Sequence, residues 1–219
     1  MIGFILLFIL IITIIYIVKN RIIIKFKTFF KKGFRANRGN FGVYCYCGKQ
    51  GRGKTLSVIE FLNENKDKKI YANIKTIDKD KIEYTYFNGF DNLLKLRDEH
   101  DCIIVYDEIF TALTKSSKIN QDVLDFLSQM RKRRIIFITT AQEWLEINIT
   151  LRRYCRYQIE CNIINVINTS ILIKRFYDAE QMTWSQQDNE YVAPILRTSI
   201  SKCNLHIAQM YDTFEQIKT

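Results

Sequence analysis

The 219-residue sequence predicts an α/β fold, a mostly parallel central sheet flanked by helices, preceded by one apolar N-terminal helix. Three observations predict it. Apolar strand-like runs alternate with amphipathic helical stretches from residue 41 onward. One of those runs ends in a glycine-rich turn, "GKQGRGKT" (48–55), directly before a helical pattern. Residues 2–18, "IGFILLFILIITIIYIV", carry no charge.

The apolar segment comes first in the chain. Its 17 uncharged residues lie at the lower limit for spanning a bilayer. Charged residues follow the run rather than precede it, which argues against a cleaved leader. The basic flank predicts a single pass with the amino terminus outside and the remainder cytoplasmic. Lys19, Arg21, Lys25, Lys27, Lys31, Lys32, Arg35 and Arg38 occur within 20 residues that hold no acid. Removing those eight from the 33 Lys and Arg leaves 25 against 23 Asp and Glu. The excess behind the net charge of +10 is therefore juxtamembrane, where anionic lipid attracts it, and gives the main domain no nucleic-acid footprint. The expected organisation is an anchor at 1–18, a basic segment at 19–40 and one domain over 41–219. The six cysteines show neither a C-x-x-C pair nor metal spacing, and read as core hydrophobes of a reducing compartment.

The domain elements follow in order. "FGVYCYC" (41–47) suits a buried strand entering a turn at Gly48. "KTLSVIEFLNEN" (54–65) puts Leu56, Ile59 and Leu62 on one helical face. "KIYANI" (69–74) and "IEYTYF" (82–87) read as short strands, and "FDNLLKLRDEH" (90–100) as a helix. "CIIVYDE" (102–108) is a strand running into two acids. "NQDVLDFLSQMRKRR" (120–134) reads as an amphipathic helix capped by Asn120, followed by the strand "IIFITTAQ" (135–142). "CNIINVINTSILI" (161–173) is uncharged but too short and too rich in asparagine for a second span; it reads as a β-hairpin turning at "INTS". "IAQMYDTFEQI" (207–217) looks like a closing amphipathic helix, and the rest of 175–219 carries no motif.

Three of these segments carry chemistry. Gly48, Lys49, Gln50, Gly51, Arg52, Gly53, Lys54 and Thr55 fit G-x-x-x-x-G-K-[ST] at every fixed position. Glycines let the backbone curl around phosphates and present N–H groups at a helix amino terminus. Lys54 would reach the β- and γ-phosphates, and the Thr55 hydroxyl would ligate Mg²⁺. The fold class is then a P-loop NTPase. Asp107, at a strand end, is placed to hold Mg²⁺ through water, and Glu108 to polarise the attacking water. Gln142, ending the next apolar strand, suits sensing the γ-phosphate. "NKDK" (65–68) lacks the acid of a guanine-reading signature, so ATP is the expected nucleotide.

With "GKQGRGKT", "IIVYDEIF" and "FLSQMRKRRIIFITTAQ" in hand, the chain resembles the zonular occludens toxin family. Those are the filamentous-phage assembly ATPases, within the wider FtsK/HerA group of motor ATPases. The resemblance covers about residues 42–145. It implies a homo-oligomeric ring at the inner face of a membrane, coupling ATP hydrolysis to virion assembly and export. Partners would then be membrane lipid and viral coat or other assembly proteins. It implies that Arg131, eleven residues before Gln142, is a candidate for reaching a neighbouring subunit's nucleotide. Arg152 and Arg153 are second candidates. All three also fit a solvated basic helix end. Two features depart from the family: the apolar span precedes the domain, and "KRR" replaces a glycine-containing stretch. Two further readings stay open. One is a DNA-translocating or genome-packaging motor with Lys115 and Lys118 in a pore loop; the other is a nucleotide-bound membrane scaffold that hydrolyses little.

Overall fold

The structure, a computed structural model, describes residues 2–20, 22–24, 41–109, 113, 118–167, 169–186 and 190–211. The basic residues at 25–38, Lys115 and the chain after 211 lie outside them. The order begins with α1 (Ile2–Lys19), β1 (Ile22–Ile24), β2 (Gly42–Cys47), α2 (Lys54–Glu64), β3 (Lys69–Ala72), β4 (Thr85–Tyr86) and α3 (Phe90–Lys95). It continues with β5 (Cys102–Tyr106), α4 (Gln121–Gln129), β6 (Ile136–Ala141), α5 (Ile149–Tyr154), β7 (Cys155–Val166) and β8 (Thr169–Asp178). The last elements are β9 (Thr183–Ser185), β10 (Glu190–Val192), β11 (Ile195–Lys202) and α6 (Leu205–Ala208).

The main sheet has nine strands in the order β1-β11-β8-β7-β2-β6-β5-β3-β4. Strands β7, β2, β6, β5, β3 and β4 are mutually parallel. Strand β8 runs against β7 and β11, and β1 lies parallel to β11 at the edge. Strands β9 and β10 form a separate antiparallel pair. The central strands are buried on both faces, which is why their sequences read as unbroken apolar runs. Along β2 the pleat sends Val43, Cys45 and Cys47 to one core and Tyr44 and Tyr46 to the other. Helix α4 covers the first core with Val123, Phe126 and Leu127; α2 covers the second with Leu56, Val58, Ile59 and Leu62.

Several predicted elements contract. Of "IEYTYF" only Thr85–Tyr86 pairs. The helix at 90–100 is α3 plus a 3-10 turn over Leu96–Asp98. Helix α4 stops at Gln129, because Met130 tucks into the core and Arg134 takes a left-handed φ of 56°. The predicted hairpin forms as β7 and β8, while β9, β10 and β11 had no sequence signal.

Helix α1 is apolar all round, with exposed side chains from Phe4 to Val18. Its 18 residues rise about 27 Å, against roughly 30 Å of bilayer hydrocarbon. Among the described residues, no helix is long and apolar enough to cross a membrane.

Candidate nucleotide-binding site

The connection after β2 leaves on the α2 face, whereas that after the adjacent β6 leaves on the opposite face, through Trp144, Ile147 and Leu151. A crevice therefore opens at the carboxyl ends of β2 and β6, the usual ligand position in such sheets. The glycine-rich loop fills its rim. The Gly48 N–H donates to the carbonyls of both Ala141 (3.2 Å) and Gln142 (3.1 Å), tying the root of the loop to the end of β6. A side chain at Gly48 would stand 2.7 Å from the Cys161 carbonyl oxygen, so only glycine admits β7 this close. Gly53, with φ +83°, turns the chain into α2.

The first N–H groups of any helix lack intrahelical acceptors, and no side chain caps those of α2. They leave donors at this end of the crevice, where an anion would be favoured. The Lys54 ammonium lies across the loop and donates to the carbonyls of Gly48 (2.6 Å) and Lys49 (3.3 Å). Lys49, Gln50, Gly51 and Arg52 are exposed, and Arg52 is turned away to Asn162 on β7 (2.7 Å). Thr55 stands half-buried in the first turn of α2.

The acids come from the end of β5. The Asn73 side chain grips the Asp107 backbone, accepting its N–H (2.7 Å) and donating to its carbonyl (3.2 Å). Thr140, fully buried on β6, donates its hydroxyl proton to the Asp107 carboxylate and accepts the Glu108 N–H at 3.0 Å. Glu108 adopts a left-handed φ of 54°, a conformation costly for a residue other than glycine and common at functional turns. Burial raises the Asp107 carboxyl, with Thr140, Lys54 and the Glu108 N–H opposing it. Burial and the neighbouring Asp107 raise Glu108, with Lys54 opposing. The lysine of the loop thus acts on both acids. These oxygens, with the Thr55 hydroxyl, are the hard donors Mg²⁺ takes beside phosphate, so the residues fit that ion. No cluster of three or more His, Cys, Asp or Glu at metal spacing occurs among the described residues.

Gln142 lies exposed on the same rim, its N–H held by Glu146 (3.1 Å) and its carbonyl by Gly48. Arg131 is elsewhere. It pairs with Glu180 beside Gly42, at the opposite end of β2 from the loop. Six strand residues separate the two ends, roughly 20 Å, so within one chain Arg131 does not join the other site residues. Arg152 and Arg153 occupy that same far end. A cavity of about 750 Å³ there is lined by Arg131, Arg152, Arg153, Glu180, Trp144 and Tyr191, among others. The Arg152 Nε is buried without a hydrogen-bond partner, and its guanidinium lies 5.2 Å from the Tyr191 ring centroid.

Sequence reasoning missed Asn73 and Thr140. The one available signal was the pair Thr139–Thr140, two hydroxyls inside an otherwise apolar strand.

Comparison with known proteins bears on this arrangement. The family model described as "ATPase family associated with various cellular activities (AAA)" matches residues 44–164. Among solved structures, the chain is similar to the N-terminal domain of zonular occludens toxin from Neisseria meningitidis. The identity there is 18%, the TM-score 0.53, and 78% of this chain and 98% of that chain are covered. It is also similar to the genome packaging NTPase B204 from Sulfolobus turreted icosahedral virus 2. That likeness has 12% identity and a TM-score of 0.48, over 71% of this chain and 98% of that chain. No curated protein matches the sequence. At 18% identity, the likeness to the zonular occludens toxin domain concerns the fold alone.

Proposed function

We propose, from the premise that the chain belongs to the AAA family of ATPases and is an ATP hydrolase, that it is a membrane-anchored ring motor of the phage-assembly type. It would couple ATP hydrolysis to virion morphogenesis and export, as the likeness to the zonular occludens toxin domain suggests. The observation that carries the hydrolytic site is the Thr140 hydroxyl joining Asp107 to Glu108 within the field of Lys54.

In this reading the loop N–H groups and Lys54 bind the β- and γ-phosphates. Thr55 and Asp107 would hold Mg²⁺, which would supply positive charge against the phosphates. Glu108 accepts a hydrogen bond from the attacking water and orients it. Its raised carboxyl makes it a better proton acceptor than an ordinary glutamate. Gln142 positions the γ-phosphate from the rim. No arginine other than Arg52 comes from the loop, and Arg52 is engaged by Asn162. If Arg131, Arg152 or Arg153 balances the phosphate charge, it does so from a neighbouring subunit, since all three lie at the far end of their own sheet. The ring reading is supported by that separation.

Anchoring rests on the apolar surface that α1 exposes up to Lys19, which would sink into lipid although the helix is too short to cross a bilayer by itself. The domain lies on the side of the basic flank, the cytoplasmic side. Resistance of the chain to carbonate extraction, and its loss on removing residues 1–18, tests the anchor.

The catalytic assignment is tested by ATP turnover of Lys54→Ala and Glu108→Gln. Lys54→Ala is expected to lose nucleotide binding. Glu108→Gln is expected to keep it and lose turnover by at least about a hundredfold. Wild-type rates in both variants would overturn the site. Strong stimulation of turnover by DNA would replace virion export with DNA translocation as the work performed.

A further inference from the structure

The cavity at the far end of β2 lies on the α4 face of the sheet, between the end of α4, helix α5 and the β9–β10 ribbon, and measures about 750 Å³. Pockets that take small ligands run from roughly 300 to 1,000 Å³. One wall is apolar: Leu127, Met130 and Trp144 are buried members of the first core. The ribbon adds the Tyr191 ring. The charged lining is three arginines, Arg131, Arg152 and Arg153, with Glu180 as the single acid. Glu180 is already engaged by Arg131, and both side chains are about half exposed, which sets that pair at the mouth.

The other two arginines have no such partner. Among the described residues neither Arg152 nor Arg153 forms an ion pair with a carboxylate. The Arg152 Nε is buried without an acceptor, and its guanidinium packs 5.2 Å from the Tyr191 ring centroid. Leaving a buried donor of this kind unmade costs about 1–3 kcal/mol, and more for a charged group. A guanidinium with its Nε–H unclaimed presents a side-on fork that matches two oxygens of one anion.

We propose that this cavity binds a small aromatic phosphate monoester, its phosphate on Arg152 and Arg153 and its ring against Trp144 and Tyr191. Charge selects the head group. Three arginines against one glutamate leave two positive charges in excess, and a phosphate monoester carries close to two negative ones above a pH of about 6. The wall selects the body, because a flat ring covers the aromatic and apolar surface that a bare phosphate would leave wet. The ribbon that carries Tyr191 shares no ladder with the main sheet, so Tyr191 can yield as the head group reaches Arg152. The site is complete within one chain and stands at the opposite end of β2 from the phosphate loop. It therefore goes beyond the motor reading and does not depend on it.

The two tryptophans of the chain report on this place. Trp144 lines the cavity, and the Trp184 ring lies 5.0 Å from that of Tyr191. The test uses the full chain in detergent carrying Lys54→Ala, so that the phosphate loop does not compete. Phenyl phosphate and inorganic phosphate are titrated at pH 8, followed by tryptophan fluorescence and calorimetry. Phenyl phosphate should bind one site per chain, at least about tenfold more tightly than inorganic phosphate. Arg152→Lys, which keeps the charge and loses the fork, should weaken phenyl phosphate by about tenfold or more without lowering the melting temperature. No binding of phenyl phosphate at about 1 mM overturns the proposal. Equal affinity for the two phosphates also overturns it, as does wild-type affinity in Arg152→Lys. Should Arg152→Lys melt early, Arg153→Gln decides in its place, because that side chain is exposed and its loss leaves the core intact. Unchanged phenyl phosphate affinity in Arg153→Gln then overturns the proposal, and weakened affinity supports it.

Discussion

Replacing Thr140 by valine keeps the shape of the side chain and removes one hydroxyl that serves both acids. That hydroxyl donates to a carboxylate and accepts from a backbone N–H, and no water can replace it because Thr140 is fully buried. A hydrogen bond to a charged group contributes roughly 1.5–3 kcal/mol, and leaving the Glu108 N–H without an acceptor costs about 1 kcal/mol more. The sum, about 2.5–4 kcal/mol, corresponds to a fall in Tm of roughly 5–15 °C for a domain of this size. The Asp107 carboxyl rises further, because Thr140 is the largest influence lowering it. Asp107 and Glu108 also lose their common support, and a misplacement of about 1 Å in such a site costs up to roughly a hundredfold in rate. Calorimetry and ATP turnover at pH 8 measure both effects, with Thr140→Ser as the control that keeps the hydroxyl. If Thr140→Val melts within about 2 °C of wild type and turns over ATP normally, the hydroxyl does not organise the acids.

Three more outcomes follow from the same interactions. Because burial raises Asp107, the folded chain holds that proton to higher pH than the unfolded chain does. Asp107 therefore contributes a loss of stability as pH rises from the ordinary carboxylate value near 3.8 through its raised folded value, and Asp107→Asn should remove that part of the slope in nucleotide-free melting curves. Lys174→Ala should cost about 3–5 kcal/mol in urea unfolding by leaving Glu60 without its buried partner, whereas joint replacement of both by leucine should cost much less. Burial pushes the thiols of Cys102 and Cys161 up to about 12 and raises those of Cys45 and Cys155 as well. A thiol reagent at pH 8 should accordingly label Cys203 first in the native chain, and all six cysteines only after unfolding.

The phosphate loop and the acid pair were legible because each is local: glycine spacing, or an apolar run closing on "DE". Asn73 and Thr140 were not, because they meet Asp107 only through the order of strands β3, β5 and β6, which no local pattern encodes. The helical reading of "RKRR" failed for a different reason. Its residues continue the periodicity of α4, but the Ile135 N–H returns to the Met130 carbonyl (2.9 Å) and closes a turn there. The hairpin at 161–173 was readable from its asparagines, whereas its extension beyond the sheet depends on where β2 happens to end. Nothing in residues 179–202 announces that β11 widens the sheet, since its half-exposed face mixes polar and apolar side chains without strict alternation.

Strand β6 stands between the strand that carries the lysine and the strand that carries the acids. Two inter-strand spacings amount to roughly 9–10 Å, a gap wide enough for a terminal phosphate, a cation and one water molecule together. That width is set by main-chain ladders and not by side-chain choice. Core substitutions can loosen the domain without altering the reach between its two reactive walls, whereas a residue inserted into β6 would keep that width and slide Thr140 out of step with Asp107.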